Sequence, residues 1–403
     1  MKKIGIAGVV LAFLIVFGLG TGTGIYIQSH NSQPLTVSKD SVSEFRLVED
    51  AWNLTRNNYV DKTATQPQTL AYGTIGGMVA SLGDTGHSTF LTPEQVVQNN
   101  NFEQGKLQGI GAQVQEKNNQ VVIIAPLDGS PAQKAGLHSG DIILKVNGQS
   151  VTQVANAVKL ILGPAGTSVT LTIQDSSGTT REVTIVRAII NLVSVSWNQL
   201  PGTTIAHLRL SSFIKGTTSE LDTALAAIKA EGDTGIILDL RDNPGGLLDE
   251  AVGVTSRFIQ AGNVLLEKDI NGKTTPVPVQ KSAIITNLPM EVLVNQGTAS
   301  AAEIVAGALR DNERATMVGE TTFGTGTVLN QFPLSDSSAL VLAVLEWLTP
   351  AGKTIWHTGL TPDKAVTLAT GASPLFPESE KGLTSEELKN SGDMQLLTAI
   401  GLL

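Results

Sequence analysis

Gly235-Ile236-Ile237-Leu238-Asp239-Leu240-Arg241-Asp242-Asn243-Pro244-Gly245-Gly246 begins as an unbroken apolar run and ends in turn chemistry. A short Ile/Leu run bounded by such a turn is a strand buried on both faces. Asn-Pro-Gly-Gly stops it and leaves backbone N–H groups at the strand's C-terminal end, where open α/β sheets carry their sites. Glycines allow unusual dihedrals and close approach of a ligand, and N–H groups so placed can stabilise an oxyanion. The same four residues would equally make an ordinary strand-to-helix turn.

Outward from this strand, helices and strands alternate. Thr204–Leu210 is predicted as a strand and Ser219–Ala230 as an alanine-rich helix. Glu250–Ile259 is predicted as a helix, Glu291–Val294 as a strand and Ser300–Leu309 as a helix. That order predicts an α/β core with a parallel or mixed sheet. Val294-Asn295-Gln296-Gly297-Thr298-Ala299-Ser300-Ala301-Ala302-Glu303 ends a strand, turns on small residues and opens a helix at Ser300. A serine there sits beside helix N–H groups that favour developing negative charge. Ser300-x-x-Glu303 also fits a capping box, in which the hydroxyl only satisfies an orphan N–H.

N-terminal to this core the pattern changes. Val121–Ile124, Ile142–Val146 and Val169–Ile173 are short β-rich runs separated by Gly and Asp turns, with a helical segment at Val154–Leu162. Before them, Val42–Val60 and Leu70–Leu82 read as helices, and Ser29–Ser41 as a linker. At the start, Lys2 and Lys3 precede an uncharged run from Ile4 to Ile27. Such a run is long enough to cross a bilayer core of about 30 Å. Lysines on its N-terminal side place the remainder of the chain outside. A cleaved signal peptide is the alternative, but no small-x-small cleavage site is evident and no cysteine is present for lipidation. The last 30 residues are polar with a short apolar tip.

Composition bounds the chemistry. The 403 residues hold 36 acids against 27 bases, a formal charge of −9, which is no nucleic-acid footprint. The absence of cysteine excludes disulfides, thiol nucleophiles and Cys-ligated zinc. His30, His87, His138, His207 and His357 are scattered without metal-ligand spacing, so no metal and no cofactor is expected. Gly324-Thr325-Gly326 lacks the Gly-Lys-Ser/Thr ending and the setting of a phosphate loop.

Gly109-Ile110-Gly111-Ala112, Ser130-Pro131-Ala132, Ala135-Gly136-Leu137, Gly140-Asp141-Ile142-Ile143 and Val146-Asn147-Gly148 together resemble a PDZ domain. Such domains accept an extended peptide as an added strand and hold its carboxylate on loop N–H groups. The resemblance places that loop at Leu107, Gln108, Gly109, Ile110 and Gly111. This block is followed in order by Arg-Asp-Asn-Pro-Gly-Gly and Gly-Thr-Ala-Ser-Ala-Ala-Glu. Then come Gly319-Glu320-Thr321-Thr322-Phe323-Gly324, Leu348-Thr349-Pro350 and Gly359-Leu360-Thr361-Pro362-Asp363. In this order, from Val42 to Asp363, they resemble the carboxy-terminal processing, or tail-specific, S41-type serine peptidases.

The resemblance implies Ser300 as nucleophile and an oxyanion hole from Ala301 N–H and a glycine of the pair Gly245 and Gly246. Together with the sequence pattern outside Val42–Asp363, a multidomain α/β chain is expected: 1–28 a transmembrane signal-anchor, 29–100 a linker and N-terminal helical region, 101–188 the PDZ-like domain, 189–370 the peptidase core and 371–403 a C-terminal tail. One position departs from the family. Its Gly-Lys-Gly loop carries the lysine that takes the serine's proton, and a glutamine four residues on orients it. Thr325 and Leu329 stand in those places here. A serine hydroxyl without a base is a poor nucleophile.

A histidine suits the vacant role at neutral pH. His87, in Gly83-Asp84-Thr85-Gly86-His87-Ser88, resembles the family's Asp-Pro-His-Ser segment. The equivalent region supplies the base in the related tricorn-type branch, where a glutamate near Gly-x-x-Pro-Asp assists. His357, in Trp356-His357-Thr358, is a second candidate and Lys353 a third, while His207, inside an alternating strand, and His138, in a turn, read as structural and exposed respectively. Two functions follow. One is an endopeptidase cleaving C-terminal or unfolded segments of proteins outside the cytoplasmic membrane. The other is a membrane-anchored peptide-binding adaptor that no longer turns over. Neither involves nucleic acid.

Overall fold

The computed structural model describes residues 41–403 except 85–87, 118–119, 127–129, 139, 176, 283–285 and 370–371. The expected membrane-spanning run and His87 lie outside the described residues. Among the described residues no helix is long and apolar enough to cross a membrane.

The strand Gly235–Asp239, buried at every position, is central to a six-stranded sheet. Its order is Val195–Gln199, Ile205–Leu210, Gly235–Asp239, Met290–Val294, Thr316–Gly319 and Lys364–Ala365. The first pair is antiparallel and the rest are parallel, so the sheet is mixed. The register sets Leu208 beside Leu238, Leu238 beside Val292 and Val292 beside Met317. Successive side chains of a strand point to opposite faces, so this row packs on the helices Thr217–Glu231, Leu248–Thr255 and Ala301–Asp311, through Leu221, Leu225, Val254, Val305 and Leu309. Burying an apolar side chain in such a core contributes about 1.5–3 kcal/mol.

The opposite row, Ile237, Leu293 and Val318, packs on Leu388, Leu396 and Ala399. These come from short helices, Ser385–Lys389 and Met394–Ile400, that follow Pro377–Glu380. The polar C-terminal stretch thus supplies the second layer of the sheet. Three helices of four to seven residues are too short to display a 3.6-residue apolar period, which is why composition alone read them as featureless.

A second sheet was not foreseen. It joins Thr89–Leu91, Asn263–Lys268, Thr274–Pro278, Thr327–Pro333 and Ala339–Leu348. The long last strand pairs with Thr89–Leu91 at one end, with Asn263–Lys268 at the other, and with Thr327–Pro333 along its length. The β-rich module forms its own antiparallel sheet in the order Ala112–Lys117, Gln120–Pro126, Ile142–Val146, Ser168–Gln174, Thr180–Val186. Its core includes Ile110, Val121, Ile123, Ile143, Val154, Ala157, Leu171 and Ile173. Ala112–Lys117 is an edge strand, open on one side to an added strand.

Candidate active site

Two loops leave the C-terminal ends of neighbouring parallel strands, 240–247 and 295–300, and are sewn together. Asp242 N–H donates to Asn295 Oδ1 at 2.9 Å, and Asn295 Nδ2 returns a bond to Asp242 Oδ1 at 2.9 Å. Thr298 Oγ1 donates to Leu240 O at 2.8 Å, and Ala299 N–H to Asn243 O at 2.9 Å. Burial pushes the Asp242 carboxyl above its ordinary range.

This stitching delivers Ser300 with φ 52° and ψ −121°, a conformation an L residue holds only when its surroundings over-determine it. The helix Ala301–Asp311 that it opens is buried from Ala301 through Leu309, as befits a helix apolar all round. Gly245, φ 97°, backs onto Ser300: a Cβ there would lie 2.6 Å from Ser300 Cβ and 2.8 Å from Ala301 N. Gly245 N–H donates to Asn243 Oδ1 at 2.9 Å. Gly246, φ 137°, admits no side chain either, since a Cβ would meet Phe213 O at 2.2 Å. Among the described residues neither Gly246 N–H nor Ala301 N–H has a protein acceptor.

Ser300 and Glu303 make one half of a capping box: Ser300 N–H donates to Glu303 Oε2 at 2.9 Å, while the Ser300 hydroxyl makes no cap bond. The carboxylate does more than cap. It also accepts Thr325 N–H at 2.9 Å, Gly324 N–H at 2.8 Å and Thr322 Oγ1–H at 2.5 Å. Burial pushes its pKa up in spite of these four bonds. Glu303 therefore fastens the Ser300 turn to the 322–325 loop. Sequence reasoning saw it only as a cap, because the groups it gathers lie some twenty residues downstream with no fixed-spacing signature.

Thr325 is fully buried, and its Oγ1 accepts Ser300 N–H at 3.1 Å. Leu329 is buried in the second sheet with Leu91 and Val341. The glycines around Thr325 are forced by a close neighbour: a Cβ on Gly326 would lie 2.4 Å from Trp356 Cα, and one on Gly324 2.7 Å from Gly359 N. His357 N–H donates to Gly324 O at 2.9 Å, with its ring exposed and stacked on Trp356. His357 thus belongs to the segment packed on the Thr325 loop, whereas Lys353 is exposed in the turn before it. The chain just after His87 is anchored in the second sheet. Ser88 Oγ accepts Ala343 N–H at 3.0 Å, on the strand whose Glu346 lies opposite Thr327.

His138 is exposed and His207 is buried between two carboxylates. Of the expected peptide-binding loop, Leu107, Gln108 and Gly109 lie in the strand Lys106–Gly109, paired with Ala188–Asn191. Ile110 and Gly111 make the turn into the edge strand, with Gly111 at φ 73° against Ser130.

Residues 204–366 match the model of peptidase family S41, and residues 122–175 match that of a PDZ domain. The carboxy-terminal processing protease CtpA of Bacillus subtilis is 36% identical over 342 residues, 84% of this chain and 72% of that protein. A probable CtpA-like serine protease of Staphylococcus epidermidis is 33% identical over 399 residues, 98% of this chain and 80% of its own length. Among solved structures, the photosystem II D1 C-terminal processing protease aligns with a TM-score of 0.54 at 29% identity, over 85% of this chain and 98% of that one.

Proposed function

The chain belongs to the carboxy-terminal processing serine proteases of peptidase family S41, and on that premise we propose that it is an endopeptidase that cleaves protein substrates outside the cytoplasmic membrane with Ser300 as nucleophile. The observation that carries this reading is the turn itself. Ser300 is held at a strained dihedral, with the side-chain-free Gly245 against it and two uncommitted N–H groups, Ala301 and Gly246, on its two sides of the junction.

In the proposed reaction Ser300 Oγ attacks the scissile carbonyl carbon as its proton passes to a base. The oxyanion is stabilised by Ala301 N–H and by the glycine pair, of which Gly246 has the N–H to give, since Gly245 spends its own on Asn243. Collapse expels the amine, which takes the proton from the base, and water then releases the acyl group from Ser300. Thr325 has no basicity for the proton transfer. The base is a histidine: His87 first, by the resemblance and by the anchoring of Ser88, and His357 second, by its place against Gly324. The PDZ domain recruits the substrate through Leu107–Gly111 and the open edge of Ala112–Lys117. A C-terminal or unfolded segment suits that edge. The run Ile4–Ile27 behind Lys2 and Lys3 supports a single-pass anchor with the bulk of the chain extracytoplasmic.

The alternative, a membrane-anchored adaptor without turnover, has one observation in its favour: the buried Thr325 hydroxyl sits on Ser300 N–H where a base would be expected. Degradation of an unfolded protein by the wild type and by Ser300→Ala decides between them. The peptidase reading expects fragments from the wild type alone. Intact substrate in both reactions, with the substrate bound by the PDZ domain, establishes the adaptor.

A further inference from the structure

A buried charge cluster lies on the face of the sheet away from the helix Ala301–Asp311, and its members come from two parts of the chain. From the core come His207 and Arg209 on one strand, Asp239 on the next and Arg241 just beyond it. From the C-terminal segment come Glu380, Asp393, Gln395 and the backbone of Leu375. Arg241 is fully buried. Its Nε and Nη2 donate to Asp239, its Nη1 reaches both Asp393 oxygens at 2.9 Å, and its Nη2 also reaches Leu375 O at 3.0 Å. Arg209 donates to Arg241 O at 3.1 Å and lies 3.5 Å over the Phe376 ring. One residue past Arg241 begins the Asp242–Gly246 turn that backs Ser300.

His207 occupies the middle. Its Nδ1 is 2.5 Å from Glu380 Oε1 and its Nε2 is 3.1 Å from Asp239 Oδ2, with all three side chains fully buried. A carboxylate only accepts, so both ring nitrogens must donate, and only the imidazolium has two N–H groups. With His207 charged, the cluster balances: His207, Arg209 and Arg241 against Asp239, Glu380 and Asp393. Loss of that proton leaves a buried net negative charge and one lone pair facing a carboxylate, which a low-dielectric interior penalises heavily. The neutral Asn198 stands opposite His207 on the antiparallel strand, and Asp242 and Glu378 act on Arg209.

We propose that residues 375–400 form a proton-dependent strap that positions the Asp242–Gly246 turn through Arg241 and is held shut by the His207 imidazolium between Glu380 and Asp239. The proposal rests on the peptidase reading only for its consequence on activity. Burial pulls the His207 pKa down, and the hydrogen bonds to Asp239 and Glu380 outweigh it, raising the value from 6.5 to about 8. A folded pKa above the unfolded one means that the contribution to docking is complete below pH 6.5 and is lost as pH rises through about 8. The ratio of those constants corresponds to a loosening of roughly thirtyfold.

Hydrogen exchange on the full chain between pH 6 and 9.5, corrected for intrinsic rates, reads the strap directly. Protection in Met394–Ile400 and in 242–247 is expected to fall roughly twenty- to thirtyfold, most of it between pH 6.5 and about 8. Protection in Ala301–Asp311 should remain. Glu380→Gln, which removes one carboxylate and keeps an acceptor, should shrink the fall severalfold and shift it to lower pH. Strap protection that stays flat to pH 9.5 overturns the proposal. So does loss of Ala301–Asp311 protection over the same pH range, which would be global unfolding. Should Glu380→Gln not fold, the pH titration of the His207 ring by NMR replaces it: a value at or below 6.5 overturns the proposal, and one near 8 upholds it. Cleavage of an unfolded substrate should decline over the same pH window. No cleavage at any pH refutes the peptidase reading and leaves the exchange result to decide the strap.

Discussion

Thr325 Oγ1 lies 3.1 Å from Ser300 N and accepts its N–H, so Thr325 touches the backbone of the proposed nucleophile and offers its side chain nothing basic. Glu303 Oε2 binds both residues' N–H groups. Glu303 thus holds the Thr325 loop against the Ser300 turn, while neither the lysine nor the orienting glutamine of the family has a counterpart at Thr325 and Leu329.

Thr325→Lys restores an amine at that place. If the turn and the N–H pair are otherwise competent, cleavage of an unfolded substrate rises by roughly a hundredfold, the scale of general-base catalysis. Steady-state kinetics across pH 6–9 would read it. An unchanged rate in a folded variant would mean that the missing lysine is not what limits the site.

His87→Ala should lower the wild-type rate by roughly a hundredfold, and His357→Ala should leave it within a few-fold. The pH–rate profile of the wild type should carry an ascending limb near neutrality. Equal, small effects of both variants would remove histidine from the role.

Glu303→Ala strands the donors of Thr322, Gly324 and Thr325, while Ser300 N–H keeps Thr325 Oγ1, and should cost about 3 kcal/mol or more, since each buried unpaired group carries a penalty of its own. Glu303→Gln should cost less than half as much. It keeps one acceptor oxygen, and the raised pKa means that the charge itself opposes folding at neutral pH. Chemical denaturation of the three proteins measures this directly.

Gly245→Ala places a methyl 2.6 Å from Ser300 Cβ at φ 97°. The expected loss of stability is about 1–3 kcal/mol, and the loss of rate should be roughly a hundredfold or more. Thermal unfolding and kinetics together separate displacement of Ser300 from simple unfolding.

The Ser300 turn and the Gly245-Gly246 turn were legible in the sequence because each is local: an apolar strand, then small residues at fixed offsets. The mixed sheet followed from the same alternation. The second sheet was not legible, because Ala339–Leu348 finds its partners at 89–91, 263–268 and 327–333, and no local period encodes pairing over such separations. Glu303 was half legible. Its spacing to Ser300 announced a cap, but the three donors it collects from 322–325 depend on the tertiary path of that loop. His207 read as structural from its alternating strand, and it is buried. What alternation could not show is the pair of carboxylates, one of them from the C-terminal segment, that gives the ring its charge.

The most direct test of the central claim is the intact mass of the protein after reaction with a fluorophosphonate at neutral pH, in the wild type and in Ser300→Ala. A reactive Ser300 in an intact oxyanion site predicts one covalent adduct on the wild type, mapped to the peptide holding Ser300, and none on the variant. An unmodified wild type, or equal modification of both proteins, would contradict it.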